Sequence, residues 1–188
     1  MDINIYDYID EIPEFLQHED LISFDLETTG VNSSLDVIIE LGAIEFKNGK
    51  IIKEYDEMYG GGTSPVFLVR QIHGIRDCER IGKATFKERS DEIIEWFNGK
   101  TLVGHNIKNF DIPMIQQKLH EIGKQLVNVK VIDTLTLARK SKLFESNTLQ
   151  SLCKYFDLPY GNHRGLFDSV STLLLLFKLI KKMNLEKI

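Results

Sequence analysis

Leu21-Ile22-Ser23-Phe24 is an apolar run that ends on two carboxylates, Asp25 and Glu27, within the stretch FDLETTG. A short apolar run bounded by polar residues is the pattern of a strand buried inside a sheet. On a strand, residues two apart share a face and stand roughly 6.5–7 Å apart along the chain. Asp25 and Glu27 are therefore expected side by side. Two like charges at such a place repel and lose hydration, which is costly unless a cation sits between them. A divalent ion is the simplest such cation, so the fold must bring the end of a buried strand to a place where one can bind.

The pattern around this strand predicts the rest of the architecture. Residues 1–20 read as a short helix or irregular lead-in limited by Pro13. A strand over 21–27 is followed by one over 37–46, a tight Asn48-Gly49 hairpin and a return strand over 50–59. Gly60-Gly61-Gly62 lacks a following G-K-[ST], so it shapes a strand exit and is not a phosphate loop. Phe86, Ile93, Ile94, Trp96 and Phe97 recur at helical spacing until Asn98-Gly99. A strand over 101–104 comes next, then a helix over 111–122 with Pro113 in its first turn and Gly123 beyond its end. A strand over 127–132 and helices over 134–142, 149–156 and 168–183 complete the chain, with Asp133 as the expected cap of the first of these. Strands first and then strands alternating with helices predict an α/β domain over 21–188. Its expected core is a mixed five-stranded sheet, three strands antiparallel and the rest parallel, flanked by helices.

Bulk properties exclude several classes. At 188 residues the chain makes one domain with a sizeable core. The acidic start MDINIYDYIDEIPEF is unlike a signal peptide. The longest apolar run, Leu173 to Phe177, is far short of the roughly 20 residues of a membrane span. Cys78 and Cys153 form no CxxC pair, which speaks against a disulfide framework or zinc ribbon and suits a reducing cytoplasm. The net charge of −5 argues against a broad basic binding surface. It does not exclude a phosphate-bearing substrate, because four acidic metal ligands would be set against their ions and leave a charge of about −1.

Two more acidic sites come later in the chain. Asp111 stands in GHNIKNFDIPMI just before a helix, and Asp168 stands in HRGLFDS, five residues after His163. Either Asp taken alone is equally well an N-cap. Together, a D-x-E strand, a helix-start Asp and an H-x4-D supply four hard oxygen ligands and one base that titrates near neutrality. Such a set suits Mg²⁺ or Mn²⁺ and not zinc. Two such ions about 3.5–4 Å apart can stabilise both the attacking and the leaving oxygen of a phosphoryl displacement.

FDLETTG, GHNIKNFD and HRGLFD resemble the three motifs of the DEDDh, or DnaQ-like, 3′→5′ exonucleases. The likeness spans about residues 21–180 and extends to ELGAIEF, QIHGI, LVGHN and DTLTLAR. It implies a ribonuclease H-like fold and two divalent cations held by Asp25, Glu27, Asp111 and Asp168, with His163 as general base. It places Thr28 and Thr29 against the terminal nucleotide, and His105, Asn106 and Phe110 along the substrate groove. Position 164 is Arg, which separates the chain from the subgroup whose base is a tyrosine. Gly165 stands where the family often has Ala, and its expected effect is to loosen the loop that carries His163. The implied substrate is a single-stranded 3′ end of DNA, with a DNA polymerase as a partner. An RNA-trimming enzyme, or a non-catalytic module that binds nucleic acid or a polymerase, are the alternatives that share this pattern.

Overall fold

The computed structural model describes residues 12–17, 19–62, 64–65, 67–160 and 163–186. Most of the expected lead-in lies outside them, and its described end forms one 3-10 turn, Glu14–Leu16, after Pro13. Among these described residues five strands form a single sheet: β1 Leu21–Thr28, β2 Ile38–Lys47, β3 Lys50–Met58, β4 Thr101–Gly104 and β5 Lys130–Asp133. Their spatial order is β3-β2-β1-β4-β5. β1, β2 and β3 are antiparallel, whereas β4 and β5 run parallel to β1. Among the described residues seven α-helices accompany the sheet: α1 Phe67–His73, α2 Asp77–Arg80, α3 Phe86–Phe97, α4 Asp111–His120, α5 Thr134–Ser141, α6 Leu149–Tyr155 and α7 Gly165–Met183. Among the described residues, no helix is long and apolar enough to cross a membrane.

The two faces of β1 carry different cores. Ile22, Phe24 and Leu26 pack with Ile93, Trp96 and Phe97 of α3 and with Met114, Ile115 and Leu119 of α4. Leu21 joins Ile44, Phe46 and Val103 under α7, α6 and α5 on the other side. By strand alternation Asp25 and Glu27 share the face of Leu21 and Ser23, beneath α7. Small residues bring that helix close. The Ser23 hydroxyl donates to the Ser169 carbonyl at 2.7 Å. A Cβ on Gly42 would lie 1.7 Å from the Leu166 nitrogen, so only glycine fits there.

β1 also outruns its parallel neighbour. Pairing with β4 stops at Ser23, while β1 continues to Thr28. Backbone donors past that point need other partners. The carboxyl end of β1, between an antiparallel and a parallel neighbour, is also where open sheets of this kind leave a crevice.

Candidate active site

Each acidic side chain reaches the crevice for a local reason. Asp25 and Glu27 come from the free end of β1. Asp111 is the first residue of α4, not its cap; its Oδ1 accepts from the Leu26 N–H at 3.2 Å, one of the donors β4 leaves unpaired. Asp168 lies within the first turn of α7, which begins three residues before the expected start. Neither aspartate serves as the N-cap that its position in the sequence also allowed. Ligand atoms of Glu27, His163 and Asp168 all lie within 4.8 Å of one another, a spacing that fits one cation. Asp25, His163 and Asp168 line a cleft of about 570 Å³ together with Tyr160, His105, Asn106, Arg139 and the 147–150 segment.

Burial and mutual proximity raise the acidic side chains together. Burial, then the Asp111, Glu27, Asp168 and Glu40 carboxylates, push Asp25 well above the usual carboxylate range. Burial and then Glu40, Asp168 and Asp111 push Glu27 up to about 9, against a smaller pull from Arg164. Asp111 is raised to about 7, chiefly by burial, although backbone N–H groups draw it down. A buried cluster of carboxylates that resists ionisation is the electrostatic complement of a divalent cation.

The linkage has a definite sign. Raised folded-state values mean that the folded chain holds protons the unfolded chain releases. That stability is complete below the unfolded carboxylate value near 4 and is lost as pH climbs through about 7 for Asp111 and about 9 for Glu27. In chelator the melting temperature should fall between pH 5 and pH 9, and millimolar Mg²⁺ or Mn²⁺ should restore it most at pH 9. A scanning-fluorimetry grid of pH against metal checks this.

His163 adopts φ +59°, a left-handed conformation rare for a non-glycine residue. Its ring is exposed at the cleft, with Nε2 at 3.2 Å from the Tyr160 hydroxyl. Desolvation holds it below the ordinary histidine value, so it is neutral near pH 7 and able to take a proton. Gly165, where an alanine is common in the family, serves a close backbone contact. A Cβ there would come within 2.6 Å of the Gly42 nitrogen, so the bare glycine lets helix and strand backbones meet.

The other expected residues divide. Thr28 and Thr29 are buried beside the acidic pair. The Thr28 hydroxyl donates to Gly30 O, and the Thr29 hydroxyl donates to Asp36 Oδ1 while accepting from the Val37 N–H. His105 and Asn106 both line the cleft. His105 has Nδ1 at 2.9 Å from Thr134 Oγ1 and Nε2 at 3.0 Å from the Asn147 carbonyl, so it ties β4 to the opposite wall. Phe110 is not among the lining residues; it packs against the α3–α4 core. Asp133 does cap α5, accepting from Thr136 N–H, and it also takes the Asn106 and Lys108 N–H groups. Sequence reasoning missed Tyr160 and Glu40. The spacing of Tyr160, three before His163, and the ELGAIEF stretch were the available signals. His73 is buried, with its Nδ1 accepting from the Ile75 N–H.

Fold and site together define a ribonuclease H-like exonuclease domain. The exonuclease family profile RNase_T matches residues 22–176, and the chain belongs to that family. The likeness to DnaQ-like enzymes read from the three motifs thus holds. Among curated proteins, the PolC-type DNA polymerase III of Bacillus cereus is 32% identical over 175 residues, 91% of this chain and 12% of that protein. The corresponding polymerase of Listeria welshimeri is 33% identical over 168 residues, 88% of this chain and 12% of its own. The chain thus spans about an eighth of these relatives. Among solved structures, Exonuclease X in complex with 5′ overhanging duplex DNA superposes with a TM-score of 0.69 at 21% identity, covering 87% of this chain and 93% of that one. E. coli Exonuclease I in complex with a dT13 oligonucleotide gives 0.77 at 18% identity, covering 87% and 41%. These two likenesses concern the fold.

Proposed function

We propose that the chain is a 3′→5′ exonuclease that releases nucleoside 5′-monophosphates from single-stranded 3′ ends of DNA in the cytoplasm, in a proofreading role beside a DNA polymerase. The observation that carries this reading is the meeting of Asp25, Glu27, Asp111 and Asp168 at one strand end, with His163 on the same cleft. The PolC-type relatives support the link to DNA polymerisation.

In this reading Asp25, Glu27, Asp111 and Asp168 would hold two Mg²⁺ or Mn²⁺ ions. When bound, these supply Lewis-acid stabilisation of the charge that develops on the phosphate oxygens. His163, neutral and facing the cleft, accepts the proton of the attacking water. Tyr160, whose hydroxyl burial raises to about 12, orients the imidazole through their shared hydrogen bond, with His163 Nε2–H donating to the phenol oxygen so that Nδ1 is left to take the proton. Thr28 and Thr29 fix the backbone at the end of β1 against the terminal nucleotide. His105 and Asn106 shape the groove, and Phe110 backs the helix that delivers Asp111. The cleft volume is in the range of sites that enclose a small molecule, here one nucleotide.

The test is a gel of 5′-labelled single-stranded DNA, mismatched duplex and RNA, each with Mg²⁺, with Mn²⁺ and with chelator. The expected result is a ladder of shortened DNA, fastest from frayed or single-stranded 3′ ends and abolished by chelator. No shortening with either ion would overturn the reading, and cleavage of RNA alone would replace it with an RNA-trimming enzyme.

A further inference from the structure

Glu40 has no exposed surface, yet it carries a carboxylate into a strand whose buried residues include Ile38, Ile39, Leu41, Ala43, Ile44 and Phe46. Such a group is costly unless donors saturate it. Its donors come from the two residues that follow His163. Oε1 accepts from Arg164 Nε at 3.2 Å and Nη2 at 3.0 Å, and Oε2 accepts from the Gly165 N–H at 3.0 Å. Two residues on, Gly42 is pressed against Gly165 and Leu166 with no room for a Cβ on either glycine.

These two gripping positions sit in direct register with the acidic pair of β1. Glu40 pairs with Glu27, and Gly42 pairs with Asp25. The same cross-strand rungs that hold the metal-ligand candidates therefore hold the loop of the base. His163 itself is in a strained left-handed conformation, which persists only where the surroundings enforce it. Arg164 keeps 48% of its side chain exposed and still turns its guanidinium inward to Glu40.

We propose that Glu40 is a positioning residue: by gripping Arg164 and Gly165 it sets the His163 imidazole at a fixed reach from Asp25 and Glu27. This rests on the reading of His163 as the base of a 3′→5′ exonuclease. Misplacing a reacting group by about 1 Å can cost on the order of 10²-fold in rate while leaving substrate binding alone.

The experiment is a double-mutant cycle on single-stranded DNA with saturating Mn²⁺. Glu40→Gln keeps the shape but removes the charge, and Arg164→Ala makes the same cut from the exposed side should Glu40→Gln fail to fold. Each is expected to lower kcat by about tenfold or more, with KM and calorimetric Mn²⁺ affinity within about twofold of wild type. In a His163→Ala background the same changes should cost less than about twofold, because nothing remains to be positioned. An equal loss in both backgrounds, a loss that tracks weakened Mn²⁺ binding, or no loss would overturn the proposal. An inactive wild-type protein would sink the exonuclease reading itself, whereas an active one with additive losses would sink only the role of Glu40.

Discussion

Asp25→Ala is expected to lower the single-turnover rate of 3′-end cleavage by about 10³-fold or more and, at the same time, to raise the melting temperature of the metal-free protein. The rate effect follows from losing a ligand to ions that supply several kcal/mol of transition-state stabilisation, at about 1.36 kcal/mol per tenfold. The stability effect follows from geometry. Asp25 is crowded by the Asp111, Glu27, Asp168 and Glu40 carboxylates. Burial and these neighbours hold the Asp25 carboxyl well above its usual range, so folding denies it the charge it carries in the unfolded chain, and alanine removes that cost. A variant that is more stable and inactive is the signature of a residue kept for chemistry at a cost to the fold. Fluorimetry in chelator and a single-turnover gel read the two halves separately. Retained cleavage would refute the role of Asp25, and a large drop in melting temperature would show it to be structural.

The second large effect belongs to His163→Ala, for which a rate loss of about 10²–10⁴-fold is expected, the range of a positioned general base. Its sign with pH is specific. Desolvation holds the His163 imidazole below its ordinary value, so wild type loses activity only as pH falls through that lowered value and the base becomes protonated. With metal held saturating, the acid limb that remains in His163→Ala should shift or vanish. A variant with an unchanged pH-rate curve would exclude the imidazole as the base. The ring is exposed, so the fold should not suffer; Mn²⁺ calorimetry on the same variant tells whether His163 also contributes as a ligand, as its closeness to Glu27 and Asp168 permits.

Much of this arrangement was legible because the relevant signals are local. Strand periodicity with the Asn-Gly turn placed β1, β2 and β3, and helical spacing with capping residues placed α3, α4 and α5. The acidic pair on β1 announced a cation by alternation alone. Several of the failures come from partners distant in sequence. α7 begins at Gly165, a poor helix former, because its first N–H is capped by Glu40 from β2, far away along the chain. The close contact of Gly165 with Gly42 was hidden for the same reason. α1 and α2 were not foreseen at all. α1 leaves Phe67 at 72% and Leu68 at 70% exposed, and buries only His73, so no apolar face repeats along it. α2 is a single turn of four residues, too short to show a period. The span 127–132 lost its first three residues as a strand because β4, its only partner in the sheet, offers pairing from Lys130 onward.

Asp133 shows how economical the cleft is. One carboxylate both starts α5 and fastens the 106–108 turn that leads into Asp111. Its neighbour Thr134 meets His105, whose other nitrogen reaches Asn147 on the far wall. Replacing Asp133 would free both the start of α5 and the 106–108 turn. Any attempt to retune which polymer end this cleft accepts must therefore work from the outer wall, around Arg139 and residues 147–150, and leave the knot beneath it intact.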